Sequence, residues 1–394
     1  MDEVSESRRQ VAYIVSEELI KVSSLLPSNR GRSKLVHQLV VACGLLRSRK
    51  NASGAIPVRP TVANREDLAT FHDGDYLDYV LDPAPRRQPG GQAKEFGIED
   101  DCPWFAGLHL YVPLIAGCAL TAAQLLIEQK ADVALAWDGG RHHAQKGEAS
   151  GFCYVADIPL VLLRLKRAQG PRRPRVMYLD LDLHFADGVS IPFAKQQQPS
   201  RILTLSIHHA SPGFFPAHPL AELTPADTAD PFTLSIPLAR GASNKTFHSI
   251  WGSIERVKEA FRPDFVVVQC GVDGLSGDPL AIWNWGLNAE DEGSLGWYVR
   301  GILAWGARTL FLGGGGYHSP NAARAWTYLT SVALGSPFAP DLPVPEHSLW
   351  PYYAPSFTME VETGNMSDHN DGAYLSQVDD TFKQLATRLQ DVCS

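Results

Sequence analysis

The chain reads as an α/β protein built on one central, mainly parallel sheet, and three observations carry that reading. Short apolar runs such as Phe265-Val266-Val267-Val268 have the near-continuous pattern of strands covered on both faces. Helix-length segments separate most of these runs, as crossovers between parallel strands require. Conspicuous polar residues fall after Trp137, at Asp182 and His184, after Ile207, after Cys270 and after Leu312, at the carboxyl ends where open sheets of this class bind ligands.

In chain order, strands are expected at 11–15, 133–137, 175–184, 202–207, 265–270 and 309–312. Segment 108–127 has membrane-span length and no charge, but it carries His109, Tyr111, Pro113, Thr121 and Gln124 and small residues such as Ala116-Gly117, so a buried helix is predicted. Two proline-rich stretches, 51–61 and 217–231, read as surface loops rather than linkers. A single domain follows, with an extension at its C-terminal end. In that extension Val378, Phe382, Leu385, Leu389 and Val392 recur at the spacing of an amphipathic helix, read as docked on its own domain.

With 394 residues, 44% of them hydrophobic, the chain can bury a large core. A net charge of −8, from 35 Lys and Arg against 43 Asp and Glu, opposes nucleic-acid binding through the whole surface and suits a cationic partner. The six cysteines form no C-x-x-C pair and the start, Met1-Asp2-Glu3-Val4, lacks an apolar signal region, so a reducing intracellular compartment is expected. The basic run Arg164, Lys166, Arg167, Arg172, Arg173 and Arg175 reads as a solvated helix end and loop.

The chemistry centres on Asp180-Leu181-Asp182-Leu183-His184. In a strand the two carboxylates and the imidazole share one face, and burying them uncompensated would cost several kcal/mol, so a cation is the economical explanation. Asp273, after an apolar strand in Gln269-Cys270-Gly271-Val272-Asp273-Gly274, is the candidate third ligand beside Asp182 and His184. Two carboxylates and one imidazole suit catalytic zinc, with a position left open, and also suit iron(II) or another divalent ion. Asp138-Gly139-Gly140-Arg141-His142-His143 follows another strand; its glycines allow an irregular loop that brings both histidines into one pocket. Such a histidine can act as general base and acid if a carboxylate holds its other nitrogen, and Asp180 and Asp187 are candidates. Gly313 to Gly316 lack the pattern of a phosphate loop and read as close backbone approach to a ligand, followed by Tyr317, whose hydroxyl can donate to a carbonyl oxygen.

With these residues assembled, the chain resembles the zinc-dependent histone deacetylases of class I type. The likeness runs through His142-His143-Ala144, Glu148 to Tyr154, Asp180 to His184, Ser211 to Pro216, Asp273 to Pro279 and Gly313 to Tyr317, and spans residues 12–355, which implies a catalytic domain over that range with a tail at 1–11 and an extension at 356–394. It implies the three-layer arginase/deacetylase fold, with zinc on Asp182, His184 and Asp273 and a water attacking the acetyl carbonyl of acetyl-lysine. It implies that Tyr317 stabilises the oxyanion, that His143 with Asp187 is general base and acid, and that His142 with Asp180 is electrostatic. It further implies a tunnel walled by Phe152 and Phe215, with Gly151 and Leu280 nearby, a rim carboxylate Asp101, and a monovalent cation such as potassium on Asp180, Asp182, His184 and Ser206. An acetylated histone or other nuclear protein is the implied partner, in the nucleus and also the cytoplasm, with a role in transcriptional repression.

Departures from the family pattern also matter. Phe185 and Ala186 stand where His and Gly are usual, predicting altered loop packing. Arg141 replaces a bulky apolar residue and puts a cation near the acetate exit region, while Arg32 aligns with an arginine of the internal exit channel. Pro279 and Pro320 stand where relatives that recruit inositol phosphate carry basic residues, which argues against such a corepressor assembly. Competing readings are a deacetylase of non-histone targets such as a cohesin subunit, an acetylpolyamine hydrolase, a binuclear manganese ureohydrolase on the same fold, and a catalytically silent acetyl-lysine scaffold. Gly271 and Gly274 beside Asp273 disfavour the manganese reading, and retention of His143 and Tyr317 disfavours the scaffold.

Overall fold

Strands β1 (Val11–Ile14), β2 (Ile56–Val58), β3 (Val133–Ala136), β4 (Val176–Asp180), β5 (Ile202–His209), β6 (Thr233–Leu238), β7 (Phe265–Gln269) and β8 (Arg308–Leu312) form one sheet. Their order is β2-β1-β3-β8-β7-β4-β5-β6, and every pairing is parallel. This is a computed structural model, and it describes residues 9–49, 51–84, 91–196, 199–280, 282–339 and 341–393. Most of the expected tail, residues 1–8, lies outside the described residues.

Alternate strand residues face two separate apolar cores, which makes the three layers. Met177 and Leu179 join one core together with the helix Asn244–Phe261 and the helix Ser319–Ala333, while Val176 and Tyr178 join the other with the helix Leu108–Ile127. The uncharged helix Leu108–Ile127 is a buried core element, packed on the helix Asp157–Lys166, as its small and polar residues predict. The C-terminal helix Gly372–Cys393 lies against Asn244–Phe261 and buries Val378, Phe382, Leu385 and Leu389. Val392, counted on the same face from its spacing, is 39% exposed instead, and Cys393 takes the inner position.

Two expectations need correction. The proline-rich segment 51–61 is not all loop, because it contains β2, and β6 begins just after Pro231; neither strand was expected. The strand expected to run through His184 stops at Asp180, so Asp182 and His184 lie in the segment beyond it. The register sets the ends of four strands abreast, since Ala136 pairs Leu312, Leu312 pairs Gln269 and Gln269 pairs Asp180, while β5, paired to Asp180 at Ser206, runs three residues further. Everything that follows this row opens into one crevice.

Candidate active site

Asp182, His184 and Asp273 meet just past that row. The Nδ1 of His184 lies 3.2 Å from Asp182 Oδ1 and 3.0 Å from Asp273 Oδ2, and one donor atom from each residue falls within 4.8 Å of the others. A tetrahedral ion with arms of about 2.0 Å separates neighbouring donors by roughly 3.3 Å, so the spacing fits a single divalent ion. The electrostatics agree. Both carboxylates are fully buried, and although burial opposes a charged imidazole, the hydrogen bonds to Asp182 and Asp273 push His184 up to about 10. Burial and the charge of Asp182 together push Asp273 up to about 6. The pocket thus favours positive charge at the position a metal would take.

The surrounding chain fixes these donors. Asp182 Oδ2 accepts from Gln269 Nε2 and from the Gly315 amide, each at 2.8 Å, and Asp273 Oδ1 accepts from the Leu183 amide at 3.1 Å. Gly271 is required here because a Cβ on it would fall 2.0 Å from Asp182 Oδ2, and one on Gly315 would fall 2.3 Å from Asp273 Oδ2. The glycine run brings the backbone against the Asp182 and Asp273 carboxylates.

The histidine pair stands beside this group, with ring centroids 4.0 Å apart. His142 Nδ1 is 2.9 Å from Asp180 Oδ2, and His143 Nδ1 is 2.7 Å from Asp187 Oδ1. Their environments push them apart. Burial disfavours charge on both, but Asp182 and Asp180 raise His142 to about 9, whereas burial and the charge of His142 hold His143 down at about 4. His143 is therefore neutral, with Nδ1 occupied by Asp187 and Nε2 free to take a proton.

Tyr317 completes the pocket. Asp278 anchors it by accepting from its amide at 2.6 Å, and its ring packs 5.6 Å from Phe152. Burial, reinforced by the charges of Asp273 and Asp182, lifts its hydroxyl well above the ordinary range and keeps it a donor. Phe215 lies 4.9 Å from the His143 ring and is 44% exposed, so it lines an open approach. Gly151 packs on the ring of His143, and its amide donates to Asp101 Oδ2 at 2.9 Å, which ties the rim carboxylate to the pocket wall. Leu280 is 40% exposed on the segment after Asp278. Ser206 is buried next to Asp180 in the sheet and bonds His208 Nδ1 at 2.9 Å. Phe185 packs its ring 4.9 Å from His208, so the unusual residue fills an aromatic niche and leaves Asp187 at the start of its helix.

Sequence reasoning passed over three supporting residues. Gln269 holds Asp182, Gln145 Nε2 donates to Asp187 Oδ2 at 3.1 Å, and Asp278 holds Tyr317. A glutamine ending an otherwise apolar strand was the signal available for the first.

Fold and pocket together define an α/β enzyme with a buried cation site at its strand ends and a polarised histidine pair beside it. A family model described as the histone deacetylase domain matches residues 26–333. The chain is 35% identical over 379 residues to histone deacetylase 8 of Danio rerio, covering 95% of this chain and 94% of the relative. It is 34% identical to histone deacetylase 8 of Xenopus tropicalis, covering 94% and 96%. Against histone deacetylase 1 of Homo sapiens the identity is 33%, covering 89% and 69%. The chain belongs to the histone deacetylase family and is like its class I members.

Proposed function

We propose that the protein is a zinc-dependent protein-lysine deacetylase that hydrolyses acetyl-lysine in histones or other nuclear proteins, with residues 12–355 as its catalytic domain. The observation that carries this reading is the convergence of Asp182, His184 and Asp273 beside a neutral His143 and a protonated Tyr317. A bound divalent ion supplies Lewis-acid polarisation of the amide carbonyl and a more acidic water. Phe152 and Phe215 flank the lysine methylenes and keep bulk water from them. His143 takes the water's proton at Nε2 while Asp187 holds Nδ1, and then returns it to the departing lysine amine. His142, held charged by Asp180 and Asp182, steadies negative charge without exchanging its proton. Tyr317 donates to the carbonyl oxygen as it becomes an oxyanion. Water adds, the C–N bond breaks, and acetate and the amine leave. A nuclear and cytoplasmic location, a role in repression, and a potassium ion on Asp180, Asp182, His184 and Ser206 belong to the same proposal.

The test is acetate release by the purified protein from acetyl-lysine peptides of histone and non-histone sequence, with a free acetylpolyamine alongside. Loss of activity on chelation and its return with zinc rather than iron(II) supports the assignment. A protein active only on the polyamine, or inactive with every metal, overturns it.

A further inference from the structure

Behind the histidine pair, the fold buries two arginines that make no ion pair among the described residues, although Asp138 and Asp157 lie within electrostatic reach. Arg141 and Arg32 are each 4% exposed. Arg141 Nη2 donates to the Asp138 carbonyl at 2.9 Å, and its Nε has no partner. Arg32 Nη1 donates to the Gly316 carbonyl at 2.8 Å, and its guanidinium lies 4.7 Å from the Trp326 ring. Among the described residues neither guanidinium forms an ion pair within 4.0 Å. The acids nearby are already engaged. Asp138 accepts from His37 Nε2 and Ser23 Oγ, both at 2.7 Å, and Asp157 accepts from the Gly140 and Arg141 amides, both at 2.8 Å. Tyr111 is fully buried as well, and its hydroxyl has no partner.

These orphaned groups adjoin the catalytic residues. Arg141 directly precedes His142, and Arg32 is bonded to Gly316, which directly precedes Tyr317. They also sense one another: burial and the charge of Arg141 push Arg32 down to about 10, with Tyr317, Asp138 and Tyr111 opposing, whereas at Arg141 the neighbours Tyr111, Cys153, Asp157 and Asp138 outweigh burial and hold the guanidinium charged. Two buried guanidinium groups without an acid at contact distance are incompletely compensated, and neighbouring ones repel. A monovalent anion between them removes both penalties, and the planar fork of a guanidinium matches a carboxylate.

We propose that Arg141, with Arg32 and Tyr111, forms a carboxylate site beneath the acyl group, so that the enzyme also hydrolyses lysine amides whose acyl chain ends in a carboxylate, such as malonyl- or succinyl-lysine. This rests on the deacetylase reading above. An acyl chain whose carbonyl meets Tyr317 would extend its far end toward Arg32, which is bonded to the adjoining Gly316, and toward Arg141. The reaction is the same hydrolysis: one water is consumed, the C–N bond breaks, the lysine amine takes a proton and a dicarboxylate leaves. No oxidant or reductant enters.

The experiment compares kcat/KM for malonyl-, succinyl-, propionyl-, butyryl- and acetyl-lysine in one peptide, using the zinc-loaded wild-type protein, Arg141→Leu and Arg141→Lys. In parallel, calorimetric titration with sodium succinate reads binding without turnover, and circular dichroism checks that each variant is folded. The expected result is turnover of the carboxylate-ended peptides and a ratio of carboxylate-ended to neutral acyl groups that falls about tenfold or more in Arg141→Leu, with partial retention in Arg141→Lys. Succinate affinity falls in the same order. Wild-type protein that cleaves acetyl-lysine but rejects both carboxylate-ended peptides, or binds succinate no more tightly than Arg141→Leu does, overturns the site. Failure to cleave acetyl-lysine strikes the deacetylase reading instead, and the succinate titration still decides the carboxylate site.

Discussion

Removing a single oxygen atom, in Tyr317→Phe, separates catalysis from structure in this pocket. The hydroxyl has no hydrogen-bond partner among the described residues, while the backbone is held by Asp278 at 2.6 Å and the ring by Phe152 at 5.6 Å. Phenylalanine therefore fits the same space, strands no buried partner and leaves thermal stability unchanged. The loss falls only where charge develops. Deleting one preorganised oxyanion donor lowers kcat by about 10²–10³, equivalent to about 2.7–4 kcal/mol. Steady-state kinetics on an acetyl-lysine peptide should show kcat and kcat/KM falling together, the signature of an interaction made only in the transition state. Metal content by atomic emission should match the wild type, because Tyr317 is not among the three donors. A variant with wild-type kcat refutes the role given to the hydroxyl; one that has lost its metal refutes the separation of Tyr317 from the ion.

Three further outcomes follow from the geometry. Gly271→Ala places a methyl 2.0 Å from Asp182 Oδ2, so the folded protein should lose bound metal and activity together, and an active, metal-replete variant contradicts the assignment of Asp182. His72 is buried and lowered from 6.5 to about 4, since burial outweighs its bond to the Lys146 carbonyl, and its Nε2 must accept from the Ala156 amide. The unfolded chain binds that proton more readily, so stability is whole above pH 6.5 and declines as pH falls toward 4, by at most about 1.4 kcal/mol per pH unit from this group. Urea unfolding of His72→Gln should show a shallower decline; an identical slope counts against it. Phe382→Ala in the C-terminal helix removes a ring that is 0% exposed and should cost about 3–5 kcal/mol in urea unfolding, whereas a loss below about 1 kcal/mol means the helix is not integral to the core.

What the sequence disclosed depended on how local the cause was. The central strands were legible because residues such as Val266 to Val268 are apolar on both faces, and Leu108–Ile127 was legible as a core helix from its polar interruptions. β2 and β6 were not, and the reason is physical. Each carries a proline, Pro57 and Pro237, each is an outermost strand, and proline is tolerated in sheets only at such edges. The feature that suits them to the border made them look like loops. The grouping of Asp182, His184 and Asp273 was legible from residue types and spacing, yet β4 ends two residues before Asp182, so the strand alternation that suggested it does not run through the group. Supporting residues such as Gln145 and Asp278 depend on contacts between distant segments that spacing along the chain does not encode.

Four strands that halt abreast act as a gauge block for the pocket. The offset between Asp273, beyond β7, and the pair Asp182 and His184, beyond β4, rests on the interstrand repeat of about 4.8 Å, a dimension stiffened by ladders of backbone hydrogen bonds. Slipping one strand by a single residue would turn Asp180 away from both Gln269 and Ser206 and dismantle every pairing around it. Metal affinity in this protein should therefore report on the alignment of the whole sheet, fading while the helices are still folded.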